Sequence, residues 1–404
     1  MIVALLFVLS LVFAQPVLAD AAGLRRDVPP PSYQVLGTGI FGKRSVLQKN
    51  LDDASANGYR VIEAFDLGRL LVRKTENGER YVYTAIDGAD IESLEQELNA
   101  AGAAGFRLVP HAVLGTLSLT VMERRVGMSV EHVEYRVLSF EADHEIYDLY
   151  PGPGIGGGFQ TDTIDEQLAA MAVTGYRLVA LATQDVELHN SREPVVGGVL
   201  RKVLGKVLAV ETQTLRRRLI VFFEKEAAVP TRTTAREAAR RYHAVIESTE
   251  GEFEAALNVA AKRGYRLLTT AATAFPQVIA VVEKEATAAQ RAYAVFVPSK
   301  VSRLTEELSE AAAAGWMVHS RGLLNPYPSA EPVVVSGEQP RTARLLLVLE
   351  REQLHTPGSI LVLDAMRAPT LAKELNQATP TGFAVVVAGA SNGLMVVVLQ
   401  RVER

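Results

Sequence analysis

One spacing of apolar residues recurs along the chain. An apolar residue is followed by another four positions on, by a small residue or methionine three further, and then by glycine and an aromatic ring. The copies are Leu47, Leu51, Ala54, Gly58-Tyr59; Leu94, Leu98, Ala101, Gly105-Phe106; Ile164, Leu168, Met171, Gly175-Tyr176; Phe253, Leu257, Ala260, Gly264-Tyr265; Leu304, Leu308, Ala311, Gly315-Trp316; and Leu371, Leu375, Ala378, Gly382-Phe383. Positions i, i+4 and i+7 make one stripe on a helix, so each copy predicts about three turns with one buried face. The glycine is where the helix must stop, in the left-handed conformation that only glycine adopts cheaply. The ring at C″ is expected to fold back on the residue four before the glycine.

Short β runs flank each helix. A strand precedes it, as in Tyr33-Gln34-Val35-Leu36, Tyr135-Arg136-Val137-Leu138 and Ile360-Leu361-Val362-Leu363. A second follows the glycine-ring pair, and a third ends in charge, as in Phe223-Glu224-Lys225 and Leu349-Glu350-Arg351. Ser391-Asn392-Gly393 between two valine runs is a tight hairpin signal. The predicted fold class is α+β: six tandem βαββ repeats, each with one helix on a mainly antiparallel three-stranded sheet. The boundaries read 33–75, 81–126, 133–227, 242–286, 292–352 and 359–404, with a polar linker helix at 231–241 that marks a candidate division into two halves. A lone unit of about 45 residues buries too little surface to stand alone, so units should cover one another's faces or join at sheet edges.

The units resemble a small bacterial domain family of unknown function: a Tyr-led strand, a Leu-Asn-bearing helix, a Gly-Trp-Glu-Leu-Val turn and a strand ending Lys-Arg. Leu98-Asn99, Leu257-Asn258, Leu375-Asn376 and Gly315-Trp316 carry the resemblance. Four copies put arginine where that family has glutamate (Arg60, Arg107, Arg177, Arg266), which predicts pairing with acidic neighbours across the sheet. The resemblance implies a fold and no activity.

Composition narrows the function classes. The 404 residues are 48% apolar and 22% charged, enough to bury a core. A net charge of −4 lacks the basic excess of a nucleic-acid binder. With no cysteine, disulfides, thiolate metal sites and a cysteine nucleophile are excluded. Residues 1–19 are uncharged, apolar from Ile2 to Phe13, and end Val17-Leu18-Ala19, as a cleaved secretory signal does. An uncleaved anchor is the alternative. The leader, followed by a linker at 20–32, predicts an exported protein, periplasmic or secreted, with no membrane span after cleavage.

Candidate chemistry gathers in the third unit, where two segments are enlarged: Glu141 to Thr163 and Thr183 to Arg217. Asp143, His144 and Asp148 in the first, with His189 and Arg192 in the second, are the candidate binding residues; insertions on a repeated scaffold are where binding develops. No metal-ligand spacing, G-x-S-x-G elbow or His-Glu-x-x-His appears, so no cofactor, metal or catalytic residue is assigned. Gly37 to Gly42 formally matches G-x-G-x-x-G, with Glu63 closing the next strand. Arg44, however, stands where a P-loop needs Ser or Thr, and the five sister units lack the glycines. The reading is an exported, non-enzymatic scaffold that binds a protein or envelope component through unit three, with self-association as a further mode. A hydrolase of envelope material working between those insertions is the alternative, and a nucleotide binder at Gly37–Gly42 ranks last.

Overall fold

A computed structural model describes residues 32–37, 43–65, 68–75, 78–88, 90–114, 119–147, 158–194, 209–226, 234–272, 277–286, 290–298, 301–324, 345–352, 358–391 and 394–401. The leader and Asp148 lie outside these residues. Unit one comprises β1 (Tyr33–Gly37), α1 (Arg44–Ala56), β2 (Tyr59–Phe65) and β3 (Arg69–Lys74). Unit two comprises β4 (Tyr81–Asp87), α2 (Ile91–Ala103), β5 (Arg107–Leu114) and β6 (Leu119–Arg125). Unit three comprises β7 (Val133–Tyr147), α3 (Thr161–Val173), β8 (Arg177–Pro194) and β9 (Ala209–Glu226).

A single-turn helix, α4 (Ala235–Ala238), leads into unit four: β10 (Tyr242–Glu247), α5 (Glu250–Lys262), β11 (Tyr265–Ala272) and β12 (Val278–Lys284). Unit five holds β13 (Arg291–Phe296), α6 (Leu304–Ala313), β14 (Met317–Leu324) and β15 (Leu346–Glu352). Unit six holds β16 (Ile360–Ala365), α7 (Ala368–Ala378), β17 (Phe383–Ser391) and β18 (Leu394–Arg401). Each unit forms its own antiparallel sheet with the third strand in the middle. The fold is α+β, built from tandem βαββ repeats.

All six helix-stop glycines have positive φ, from 70° at Gly58 to 92° at Gly382. In units two, three and five the ring residue's amide closes the Schellman bond: Phe106 to Ala101, Tyr176 to Met171 and Trp316 to Ala311, each 3.0 Å. Each ring shares a hydrophobic core with the small or compliant residue four before its glycine. The charged end of the third strand then covers the ring. Lys74, Arg124, Lys225, Lys284, Arg351 and Arg401 lie 4.5–5.4 Å from the ring centroids of Tyr59, Phe106, Tyr176, Tyr265, Trp316 and Phe383. Two motifs that are separate in sequence are thus one cation–π contact.

The units cover one another's faces, and they close on themselves. Each helix packs on the first strand of the following unit, α1 on β4 and so on, and α7 packs on β1. The second strands neighbour one another in a cycle: β2, β5, β8, β11, β14, β17 and back to β2. Six hydrophobic cores result, one per joint, including Tyr33, Phe65 and Leu71 of unit one with Leu371, Leu375 and Val397 of unit six. The joint between units three and four has the same build, with Leu168 and Val221 against Ala244 and Val281.

The middle strands explain the unbroken apolar runs. Leu70 and Val72 face the core under α1, while Leu71 between them faces unit six. Both faces of such a strand are buried, so polar alternation disappears.

Polar bonds fix the joints. Asn99, Asn258 and Asn376 each bond the backbone N–H and C=O of a tyrosine in the next unit: Tyr135, Tyr293 and Tyr33. Gln48 bonds Tyr83 O and Ala85 N, Asp165 the Ala244 N, and Thr305 the Val362 backbone, one turn earlier on their helices. The two kinds of joint alternate around the ring.

Each second strand carries a register shift against its middle strand. At four of these the next unit's tyrosine hydroxyl accepts the amide beside the shift: Val61 to Tyr83, Leu108 to Tyr135, Leu178 to Tyr242 and Leu267 to Tyr293, at 2.9–3.1 Å. The Tyr-led strand therefore satisfies a backbone donor that the bulge leaves open. Three of the four arginines after the rings also reach forward to an acid of the next unit. Arg60 meets Glu123, Arg107 Glu224 and Arg266 Glu350, whereas Arg177 keeps its own cross-strand Glu224.

Candidate functional site

Two places carry chemistry: the sheet of unit three where it outgrows its sisters, and the axis where the second strands meet. Within the segments expected to be enlarged loops, residues 141–147, 183–194 and 209–217 are strand, and 148–157 and 195–208 lie outside the described residues. β7, β8 and β9 hold 15, 18 and 18 residues, against 6–8 for the other middle strands. At about 3.3 Å per residue, β9 runs roughly 60 Å where its sisters run roughly 20–26 Å. At the base of the extension Arg218 donates to the Glu141 carboxylate across the ladder. Glu141 lies opposite Arg218, Asp143 opposite Arg216 and Asp185 opposite Arg217. Arg216-Arg217-Arg218 lies within β9, the middle strand of this sheet.

The candidate binding residues separate accordingly. Asp143 and His144 belong to β7, and His189 and Arg192 to β8. His144 lies opposite Leu215, His189 opposite Thr214 and Arg192 opposite Glu211. The two histidines therefore occupy the strands on either side of β9, near the same level. Among the described residues no group of three His, Asp or Glu side chains could hold a metal ion. Of the glycine-rich loop, Gly37 ends β1 with its carbonyl bonded by Asn50 Nδ2 (2.6 Å), and the rest lies outside the described residues.

At the axis, the two widest register shifts fall in units two and five. Leu108 to Val113 spans two residues of β6, and Val318 to Leu323 spans two of β15. The slack puts His111 and Arg321 out of the ladder. Gly322 is needed beside Arg321 because a Cβ there would lie 2.8 Å from the Val348 carbonyl oxygen. Arg321 Nη1 lies 3.4 Å from the carbonyl oxygens of both Val179 and Leu268, in units three and four, and its own carbonyl accepts from Thr270. Glu63 of unit one lies 3.6 Å from His111 Nδ1. Five units thus converge on one polar cluster.

Burial pushes the Glu63 carboxyl well above its usual range, although the Ala64 amide and the Arg321 charge pull the other way. Burial, then the Arg321 charge, lowers His111 to about 4. Desolvation lowers Arg321 too, against the pull of Glu63. His319, deeply buried beside Glu350, is lowered to about 4 by burial and then by Arg266 and Arg321. Its Nδ1 accepts the Arg321 amide at 3.2 Å. A neutral imidazole beside a carboxyl that favours its proton is a pair able to pass a proton or donate to a ligand.

The sequence offered Glu63 only as the residue closing the strand after the glycine-rich loop, and singled out neither His111 nor Arg321. The available signals were Pro110 and Gly322, residues that mark a bulge inside a strand. Comparisons of the chain with protein-family models, curated proteins and solved structures return no match. No helix among the described residues is long and apolar enough to cross a membrane.

Proposed function

We propose that this chain is an exported, non-enzymatic scaffold whose ring holds out the unit-three sheet to bind a protein of the cell envelope. The observation that carries the reading is the length of β7, β8 and β9 compared with five sister units that end at the ring. A strand prolonged past its own core gains no burial in return for the entropy of ordering it, so a use outside the ring is the economical explanation. Beyond the ring, the outer edges of β7 and β8 have no described strand partner, and unpaired ladder groups recruit an extended segment of another chain. Backbone pairing supplies affinity in this mode, while Asp143, His144, His189 and Arg192 select the partner.

The test is affinity capture from a native envelope fraction with residues 20–404. It is run beside a variant in which residues 186–215 are replaced by a two-residue Asn-Gly turn. The ring's melting transition should survive the replacement while the captured protein is lost. Retention of the same protein by the folded, shortened variant would refute the proposal.

A further inference from the structure

The two outer strands of the unit-three sheet are not equivalent. β8 is guarded as natural sheet edges are. Its register shifts between Leu178 and Ala180 and again between Asp185 and Glu187, and it ends at Pro194. β7 carries none of these devices. Its register against β9 runs from Val133 to Tyr147 without a shift, and Glu141 to Tyr147 contain no proline, lysine or arginine. A long edge without such guards is a template for another strand.

The backbone groups that β7 offers follow from its base. Asn99 takes both the amide and the carbonyl of Tyr135, and Glu95 takes the amide of Val137. Odd-numbered residues therefore turn their amides and carbonyls away from β9. The unbroken register carries that parity outward, past the bonds from α2, to Asp143, Glu145 and Tyr147.

Charge at the same positions restricts the partner. Strand alternation places Glu141, Asp143 and Glu145 on one face. A second copy's β7 laid antiparallel across this stretch would set acid against acid, which repels. Glu141 and Asp143 have Arg218 and Arg216 opposite them on β9, whereas Glu145 has Thr214. The charge left for a partner to answer is the one at Glu145.

We propose that the β7 edge takes up an extended segment of another protein that carries a lysine or arginine beside Glu145. The proposal rests on the reading of the unit-three sheet as the docking element, and names the edge and the charge that the reading leaves open. Backbone bonds to Asp143, Glu145 and Tyr147 hold the segment, and the cation sets its register.

The probe is a displayed library of short random peptides selected on the full chain, with enriched peptides then synthesised and titrated in solution. Wild-type protein should enrich β-prone sequences with lysine or arginine at one fixed position. E145K should enrich aspartate or glutamate there instead. E145P removes an outward amide and leaves the β9 ladder whole, so it should melt as wild type does. It should bind the selected peptides about tenfold more weakly. Enrichment of no peptide, enrichment without a basic position, or undiminished binding by folded E145P would each overturn the proposal. Binding that survives E145P but is lost when residues 186–215 are replaced by the Asn-Gly turn would overturn this assignment alone and leave the docking sheet in place. Sedimentation of the wild type as a dimer that E145P dissociates would overturn it as well, by making a second copy the occupant.

Discussion

Closure of the ring rests on contacts between residues 343 positions apart, and Asn376 tests it. Its Nδ2 donates to Tyr33 O at 2.9 Å and to Ala372 O at 2.6 Å, while its Oδ1 accepts the Tyr33 amide at 2.9 Å. Truncation to alanine strips two backbone groups of their partners in a half-buried seam. At about 1 kcal/mol for each bond, and more where water cannot replace it, the loss is roughly 2–3 kcal/mol. Better helix propensity returns at most about 0.7 kcal/mol. The expected net cost is therefore about 2 kcal/mol.

Asn99 and Asn258 make the same three bonds within the chain's interior joints, at 2.8–3.0 Å. The assay is urea unfolding of N376A, N99A and N258A side by side, reading the midpoint with the slope held in view. A closed ring predicts similar losses at all three. A cost near zero for N376A beside full costs for the other two would mean that units six and one do not meet, and the cyclic architecture would fall. Such long-range closure also predicts slow folding, because loop entropy is lost before the joint forms.

Two further expectations follow from single residues. Gly315 has φ +87°, and the nearest atom to an added Cβ is Arg351 Cδ at 3.5 Å, so G315A should cost about 1–2 kcal/mol through backbone conformation alone. At Gly105 a Cβ would lie 2.8 Å from Val130 Cγ1, so G105A should cost more; equal midpoints for the two variants would refute the distinction. His319 makes stability depend on pH. Its folded value of about 4 lies below its unfolded value near 6.5, so the unfolded chain binds the extra proton between these limits. Stability should rise with pH across that window, by up to about 3 kcal/mol from this group. His111 acts in the same sense and Glu63, whose value is raised, in the opposite one. H319Q, which keeps an acceptor for the Arg321 amide, should flatten the rise between pH 4 and 6.5 in urea midpoints; an unchanged slope would show that His319 is not buried neutral.

Local chemistry was fully legible in the chain. Helix stripes, glycine stops and charged strand ends depend on neighbours within about 15 positions, so Leu47, Leu51 and Gly58 announce a helix and its end wherever it lies. The Leu-Asn pairs were visible too, as a resemblance without a reason. The reason is the next unit: Asn99 is defined by Tyr135, and Tyr135 by the bulge amide of Leu108. These bonds join residues of adjacent repeats, where spacing along one repeat carries no trace of them.

Only the tertiary structure decided that the array closes. Closure is a sum of small rotations between units, and no residue encodes the total. It alone brings Glu63, His111 and Arg321, from units one, two and five, to a common axis. Nor did the unit-three insertions declare themselves as strands from composition: their polar residues read as loop. Their ladder, and the Glu141–Arg218 ion pair at its base, exist only once the register of β7, β8 and β9 is set.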